Sequence, residues 1–276
     1  QPPTCPPPPP AHTLLRPKPT CTQPPPMKHI AWFKRVPPTD PKGHFKADSS
    51  GLETDGLPYM ISFYDEIALG QAVLTKEALG GEVTVLSLGP ASGSKELREC
   101  LAKGADKAVV LTDDEWMSCD CRATAKRLAA AIGEMDARLV FMGIVATDRD
   151  NAAVGPMCAT FLGWACVTGA IEFECNEDKG TAKVETEKGV ETVEFSLPAV
   201  ITCEKGLNTP RYAGLKGIMA AKKKPLEEQA PAAAEVQATL TSISAPPPRP
   251  EGRIIGTGPE AVPALIDALR NEAQVL

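Results

Sequence analysis

Short runs rich in Val, Leu and Ile alternate with longer amphipathic stretches between residues 29 and 143, and this alternation restricts the fold more than any other feature. The short runs are "HIAWFKRV" (29–36), "EVTVLSLG" (82–89), "KAVVLTD" (107–113) and "RLVFMG" (138–143). Between them lie "YDEIALGQAVLTKEAL" (64–79), "SKELRECLAKG" (94–104) and "CRATAKRLAAAIGEM" (121–135), where apolar residues recur every three or four positions. The first kind reads as strand and the second as helix. Strands separated by whole helices cannot close into tight hairpins, so they are expected to lie parallel, with helices on both faces of the sheet. An α/β fold follows, and any ligand belongs beyond the carboxyl ends of the strands. Asp65 and Ser94 are expected to cap the first two helices, and Gly104 to stop the second.

Past Trp164 the period changes to two. "GAIEFECNEDKGTAKVETEKGVETVEFSLPAVITC" (169–203) predicts antiparallel strands turning at Lys179-Gly180 and Lys188-Gly189. Pro, Ala and Glu dominate residues 225–250, an extended arm that leads to a terminal helix in "GPEAVPALIDALRNEAQVL" (258–276). A helix on an arm needs a surface to dock on, which points to a second chain. Residues 1–26 are too rich in proline for helix or sheet. The domain is expected to begin at Met27, with the preceding stretch read as translated upstream sequence and a targeting peptide as the rival reading. Three segments result: a head (1–26), an α/β domain (27–224) and an arm with its helix (225–276).

No apolar run approaches the roughly 20 residues that a membrane-spanning helix needs. The net charge of −6 argues against nucleic acid as a partner, the one basic patch being Lys222, Lys223 and Lys224. Nine irregularly spaced cysteines do not make a disulfide framework and fit a reducing compartment. Cys119 and Cys121 form a C-x-C with no second close pair; they read as exposed loop thiols, with metal binding a distant second. Cys158, Cys166, Cys175 and Cys203 sit in apolar stretches and read as small hydrophobes.

The most informative stretch is "GIVATDRDNAAVGPMCATFLGW" (143–164). A strand ending at Gly143, a loop carrying Thr147, Asp148, Arg149, Asp150 and Asn151, and a helix from about Ala153 would offer free amides and a positive helix end to a phosphate. Asp148 and Asp150 would repel an anion, so they are expected to cap the helix or take ribose hydroxyls while the backbone holds the charge; Arg149 would offset part of theirs. The same residues are also ordinary loop chemistry. With neither G-x-x-x-x-G-K-[ST] nor G-x-G-x-x-G present, a hydrolytic phosphate loop is excluded.

"GLNTPRYAGLKGIMAAKKKPLE" (206–227) closely resembles the signature of the electron transfer flavoprotein β subunit, L-N-x-P-R-Y-x-x-L-x-x-I-M-x-A-K-K-K. Five further stretches follow the order of that family: "WFKRVPPT", "FYDEIALGQAVLTKEALGGEVTVLSLGPA", "LRECLAKGADKAVVL", the 143–164 segment and "LPAVITC". The likeness spans Met27 to Leu276. It implies a parallel-core sheet of the adenine-nucleotide α-hydrolase-like kind, with added antiparallel strands and a C-terminal arm that docks on an α subunit. It also implies that the α subunit carries the working FAD, that the β subunit binds AMP or, in electron-bifurcating members, a second FAD, and that no side chain of β is catalytic. Acyl-CoA or other dehydrogenases are the implied donors, a membrane quinone oxidoreductase the acceptor, and the bacterial cytoplasm or the mitochondrial matrix the compartment.

The nucleotide site implied by the resemblance comprises Trp32, Ser62, Phe63, Tyr64, Asp65, Leu88, Gly143, Ala146, Thr147, Asp148, Arg149, Asp150, Asn151, Ala152, Val154 and Gly155. AMP-binding members read G-K-Q-A-I-D-D-D-x-N-Q-x-G, where this chain has Ile144, Val145, Thr147, Arg149, Ala152 and Ala153 in the Lys, Gln, Ile, Asp, Asn and Gln places. Bifurcating members read D-G-D-T-A-Q-V-G-P and share Asp148, Asp150, Ala152, Val154, Gly155 and Pro156 with it, but Arg149 replaces a Gly and would crowd a second pyrophosphate. AMP therefore stands slightly ahead of FAD. The resemblance further implies that 206–219 is a partner-recognition loop in which Leu215 is the apolar anchor, with Arg211, Tyr212, Ile218 and Met219 around it, and residues of these types suit a binding hot spot. Ala220 lies where many members have a lysine, leaving Lys222, Lys223 and Lys224 to steer partners or simply be solvated. Two other readings are weaker: a pyrophosphatase-type enzyme needs S-G-G-x-D-S where this chain reads "RVPPTD", and a nucleotide-sensing stress protein has no use for the arm.

Overall fold

Alternate residues of the central strands face opposite sides of one sheet, and each side has its own layer of helices. A computed structural model of the chain describes residues 27–38, 46, 48–51, 56–244, 247–249 and 251–276, so the expectation for the 1–26 head lies outside the described residues. In chain order the main unit contains β1 (Lys28–Trp32), β2 (Arg35–Val36), β3 (Met60–Ile61), α1 (Phe63–Leu79), β4 (Glu82–Gly89), α2 (Ser94–Lys103), β5 (Lys107–Thr112), α3 (Cys121–Glu134) and β6 (Leu139–Gly143). It continues with α4 (Val154–Leu162), β7 (Ala165–Cys175), β8 (Lys179–Thr186), β9 (Gly189–Ser196), β10 (Ala199–Cys203), α5 (Leu215–Ala221) and β11 (Leu226–Gln229).

The sheet has the order β11-β5-β4-β1-β6-β10-β7-β8-β9, with parallel pairing from β11 through to β7 and antiparallel pairing only between β7, β8 and β9. Ala31, Val83, Val85, Ala108, Val110 and Phe141 pack with α1 and α2 on one face. Ile30, Leu86, Leu88, Val109, Val140 and Met142 pack with α3 and α4 on the other. The chain steps outward from β1 to β4 and β5, then returns to place β6 on the far side of β1. This reversal opens a crevice at the carboxyl ends of β1, β4 and β6, where ligands of open α/β sheets bind.

Several expectations need correction. Ser62, not Asp65, occupies the N-cap of α1, and Gly93, not Ser94, that of α2; Gly104 does end α2, with φ +131. The first hairpin turns at Asn176–Asp178, where the Asn176 side chain accepts the amides of Asp178 and Lys179, while Lys179 and Gly180 are already in β8. Gly189, with φ +129, does follow the second turn. β10 is parallel to both of its neighbours, in keeping with its continuous burial, since strands of a covered parallel sheet lose the apolar/polar alternation. At the start of the arm, Leu226–Gln229 joins the sheet edge alongside β5.

The described residues divide into two compact units, the first running on through Thr239 and the second made by Leu240–Leu276 with the described part of 42–55. Within the second, α6 (Val262–Asp267) leaves Val262, Leu265 and Ile266 exposed, and Ala268, in the turn that follows it, is buried. Among the described residues no helix is long and apolar enough to cross a membrane.

One titratable group is buried at the base of the sheet. His29 is fully buried; its Nε2 donates to the Gly80 carbonyl at 3.3 Å, and its Nδ1 has no partner among the described residues. Burial lowers its pKa below 6.5, and the Lys76 ammonium adds to this against the Gly80 hydrogen bond. Stability from keeping the ring neutral is complete above pH 6.5 and is lost as the pH falls through the lowered folded value. The melting temperature of the protein is expected to drop between pH 7 and 5 more steeply than that of His29→Leu; equal slopes in calorimetry would exclude His29 as the cause.

Candidate functional site

The crevice is a cleft that is open to solvent. Trp32 and Leu88 reach it from the ends of β1 and β4, Gly143 from the end of β6, and Ala146, Asp148, Arg149, Asn151, Ala152, Val154 and Gly155 from the loop and the start of α4. Asp65 enters from the first turn of α1. The fourth wall is the segment after β5, with Trp116, Met117, Cys119, Cys121 and Thr124.

Asp65 is the hub of this arrangement. It is 2% exposed, and its two carboxylate oxygens accept the backbone amides of Lys34 and Gly143, each at 2.8 Å. One side chain thus ties the chain beyond β1, the start of α1 and the end of β6 together. Burial pushes its carboxyl up to about 7, against both amides and the Lys34 ammonium, which hold it down. The close approach requires glycine at 143, since a Cβ there would lie 2.5 Å from Asp65 Oδ1. Ser62, also buried, accepts the Thr147 amide at 3.3 Å and so fixes the loop from below.

Asp148 does not cap α4: its carboxylate receives both hydrogen bonds of the Lys34 ammonium, at 2.8 and 2.6 Å. The N-cap is Ala153, with no side-chain cap. Asp150 and Ala152 hold left-handed φ values of +53 and +49, and Ala153 returns to the right-handed region. A left-handed alanine costs about 1 kcal/mol, and such alternation turns successive amides into one anion-binding concavity. The amides of Ala152, Ala153, Val154 and Gly155 have no acceptor among the described residues. Gly155 permits tight seating of α4 on β10, because a Cβ would lie 2.4 Å from Thr202 Cγ2. The Arg149 guanidinium turns to the carbonyls of Met117 and Cys119, so it neither neutralises the neighbouring aspartates nor blocks the amides.

Some expected residues lie elsewhere. Phe63 is 44% exposed and lines a separate groove with Arg211 and Tyr212, Tyr64 packs against the core on the α1 face, and Asp150 is exposed at the loop tip. Lys34, Trp116, Cys119, Cys121 and Thr124 were not anticipated. Cys119 is buried rather than exposed, and burial raises its thiol pKa; Cys166 is exposed rather than buried.

On the opposite face, Arg211 forms a two-pronged ion pair with Glu77 at 2.6 Å, and Asn208 donates to the Ile67 carbonyl at 3.0 Å, so the 206–214 loop is fastened to α1. Tyr212 (98%), Leu215 (75%) and Met219 (64%) then project into solvent. Lys224 is not free to steer partners, because it donates to the carbonyls of Leu101 and Ala105 at the end of α2.

Residues 51–234 match the family of the electron transfer flavoprotein domain. The electron transfer flavoprotein subunit beta of Bradyrhizobium diazoefficiens is 36% identical over 253 residues, which is 91% of this chain and 100% of that protein. The mitochondrial subunit beta of Oryza sativa subsp. indica is 35% identical over 257 residues (91% and 100%), and the subunit beta of Bacillus subtilis 33% over 238 (83% and 93%). The fold, the cleft at its switch point and these likenesses together make the chain a member of the electron transfer flavoprotein β-subunit family.

Proposed function

We propose that this chain pairs with an electron transfer flavoprotein α subunit, holds AMP in the cleft as a structural group and helps to hold the FAD of the α subunit while electrons pass from dehydrogenases to an acceptor. The observation that carries the reading is the set of partnerless amides at residues 152–155, at the end of a cleft whose walls include Trp32, Leu88 and Met142. A phosphate monoester fits these amides and the positive end of α4, since the carboxylate of Asp148, which also lines the cleft, is already neutralised by Lys34. Apolar walls suit an adenine ring. The redox chemistry would come from the flavin when bound.

Donor dehydrogenases, acyl-CoA dehydrogenases among them, would dock at 206–219, and a membrane quinone oxidoreductase would take the electrons, in the bacterial cytoplasm or the mitochondrial matrix. A second FAD in place of AMP is the alternative. It is favoured by the Arg149 side chain, which is turned onto the 117–119 carbonyls and does not obstruct a pyrophosphate. Flavin absorbance per heterodimer, with mass spectrometry of the acid-released nucleotides, separates the two. One flavin and one AMP are expected; two flavins would replace AMP with FAD, and no adenine nucleotide would end both readings.

A further inference from the structure

Between Val145 and Ala153 no backbone–backbone hydrogen bond reaches beyond the loop and α4 among the described residues. Within the loop, the amides of Arg149 and Asp150 both donate to the Ala146 carbonyl, at 3.2 and 2.9 Å. Side chains therefore decide where the loop sits. On the β1 side, Lys34 holds Asp148 and Ser62 accepts the Thr147 amide. Toward the wall after β5, Asn151 Nδ2 donates to Cys121 Sγ at 3.2 Å, a weak acceptor, whereas both Nη atoms of Arg149 donate to carbonyls, Nη1 to that of Cys119 at 3.2 Å and Nη2 to that of Met117. With a charged, two-pronged donor, Arg149 is the stronger link. Its two acceptors lie at the end of the turn Trp116–Ser118, and neither takes a backbone amide among the described residues, so the guanidinium satisfies both. That wall is itself braced: the Asp113 carboxylate accepts the Glu115 amide at 2.9 Å and pairs with Arg127, and Tyr59 meets the Trp116 ring edge-on, 6.4 Å between centroids.

We propose that Arg149 is a positioning residue: by clamping the loop to the wall after β5, it keeps the amides of residues 152–155 convergent on a phosphate monoester and sets how long the nucleotide stays. The nucleotide half of this rests on the function proposed above; the ordering of the loop does not. The clamp matters because of the backbone beside it. Asp150 and Ala152, on either side of Asn151, hold left-handed φ values of +53 and +49, a conformation that residues other than glycine avoid. Released from the wall, the segment relaxes toward right-handed or extended backbone, and the amides no longer form one concavity. Held in place, they meet the anion with little ordering left to do, so the effect falls mainly on the dissociation rate. Because its guanidinium is engaged by the two carbonyls, Arg149 acts through the loop and not on the anion itself.

The test loads the full chain, purified with its α subunit, with radiolabelled AMP and chases it with unlabelled AMP. Arg149→Gln is expected to release the label about tenfold faster, the contribution of one hydrogen bond from a charged donor, with the urea midpoint of unfolding unchanged. Arg149→Lys, which keeps the charge but not the planar two-pronged donor, should fall between Arg149→Gln and wild type. In protein stripped of nucleotide, hydrogen exchange at the amides of Thr147 and Asp150, which are bonded to Ser62 and Ala146, is expected to quicken several-fold in Arg149→Gln. Release at the wild-type rate from Arg149→Gln would overturn the clamp, and so would the wild-type rate from Arg149→Lys, since charge alone would then suffice. Faster release with a lowered urea midpoint would make Arg149 a general support of the fold and overturn the positioning role. A protein that holds no AMP would fail at the function proposed above, and the exchange at 147 and 150 would still decide whether Arg149 orders the loop.

Discussion

Asp65→Ala is expected to lower the unfolding free energy by about 3 kcal/mol and to strip the protein of its nucleotide. The substitution leaves two buried amides, those of Lys34 and Gly143, without their acceptors. Asp65 itself is 2% exposed, and the three segments that converge on the carboxylate support Trp32, Gly143 and the loop behind it. The pH dependence carries a second signature. Because burial pushes the Asp65 carboxyl up to about 7, the folded state binds a proton that the unfolded state, near 3.8, does not. The stability due to this proton is complete below pH 3.8 and is lost as the pH rises through 7. His29 works in the opposite sense over the overlapping range, so the comparison has to be made between variants. Asp65→Asn keeps a neutral side chain that accepts from one amide but turns its NH2 toward the other. It is expected to fall between wild type and Asp65→Ala in stability and to lose the pH 4–7 dependence due to residue 65. Urea unfolding at pH 5 and pH 8 measures both effects. A pH difference in Asp65→Asn equal to that of wild type would refute the protonation argument, and an Asp65→Ala protein that keeps both its stability and its nucleotide would refute the latch.

Asp65 also marks where local sequence chemistry reaches its limit. An aspartate at the start of an amphipathic run reads as a cap for its own helix, and nothing local separates that from one reaching across to the ends of two strands. The elements themselves were legible: β4 and β6 are runs of apolar residues, and α1 to α3 have helical spacing, because a covered parallel sheet and its helices demand those patterns. The cleft was legible in the same way, since a ligand of such a sheet must meet the residues ending β1, β4 and β6, which are Trp32, Leu88 and Gly143. Its fourth wall was not, because Trp116 and Cys119 follow β5, which two strands separate from β6, and only the twist and order of the sheet bring them across. Phe63 was misplaced for a simpler reason: successive helix residues diverge by about 100°, so neighbours of Ser62 and Asp65 need not share their direction. The insertion of β10 between β6 and β7 is a long-range pairing, announced only by the unbroken apolar "AVITC".

Leu215→Ala is expected to leave the fold, the nucleotide and the pairing with the α subunit intact while weakening docking of the donor dehydrogenase by about 2 kcal/mol, roughly 30-fold. Stability should not change, because Leu215 is 75% exposed and its removal opens no cavity. The binding argument comes from how the surrounding residues are held. Arg211 is fixed to Glu77 and Asn208 to the α1 backbone, so the loop presents Tyr212, Leu215 and Met219 from a fastened base, and little ordering entropy is left to lose on docking. At the other end, Gly217 seats α5 directly on α2, where a Cβ would lie 2.3 Å from the Ala102 carbonyl oxygen. Gly217→Ala should therefore lift α5 and impair docking as Leu215→Ala does, but with a measurable loss of stability. The two variants separate the anchor from its mounting. Stopped-flow reduction of the flavin by a dehydrogenase, titrated to saturation, reads the effect as a raised half-saturation concentration with the limiting rate largely retained. If Leu215→Ala reached half-saturation at the wild-type donor concentration, the exposed leucine would not be at the interface, and the apolar face of α5 would need another partner.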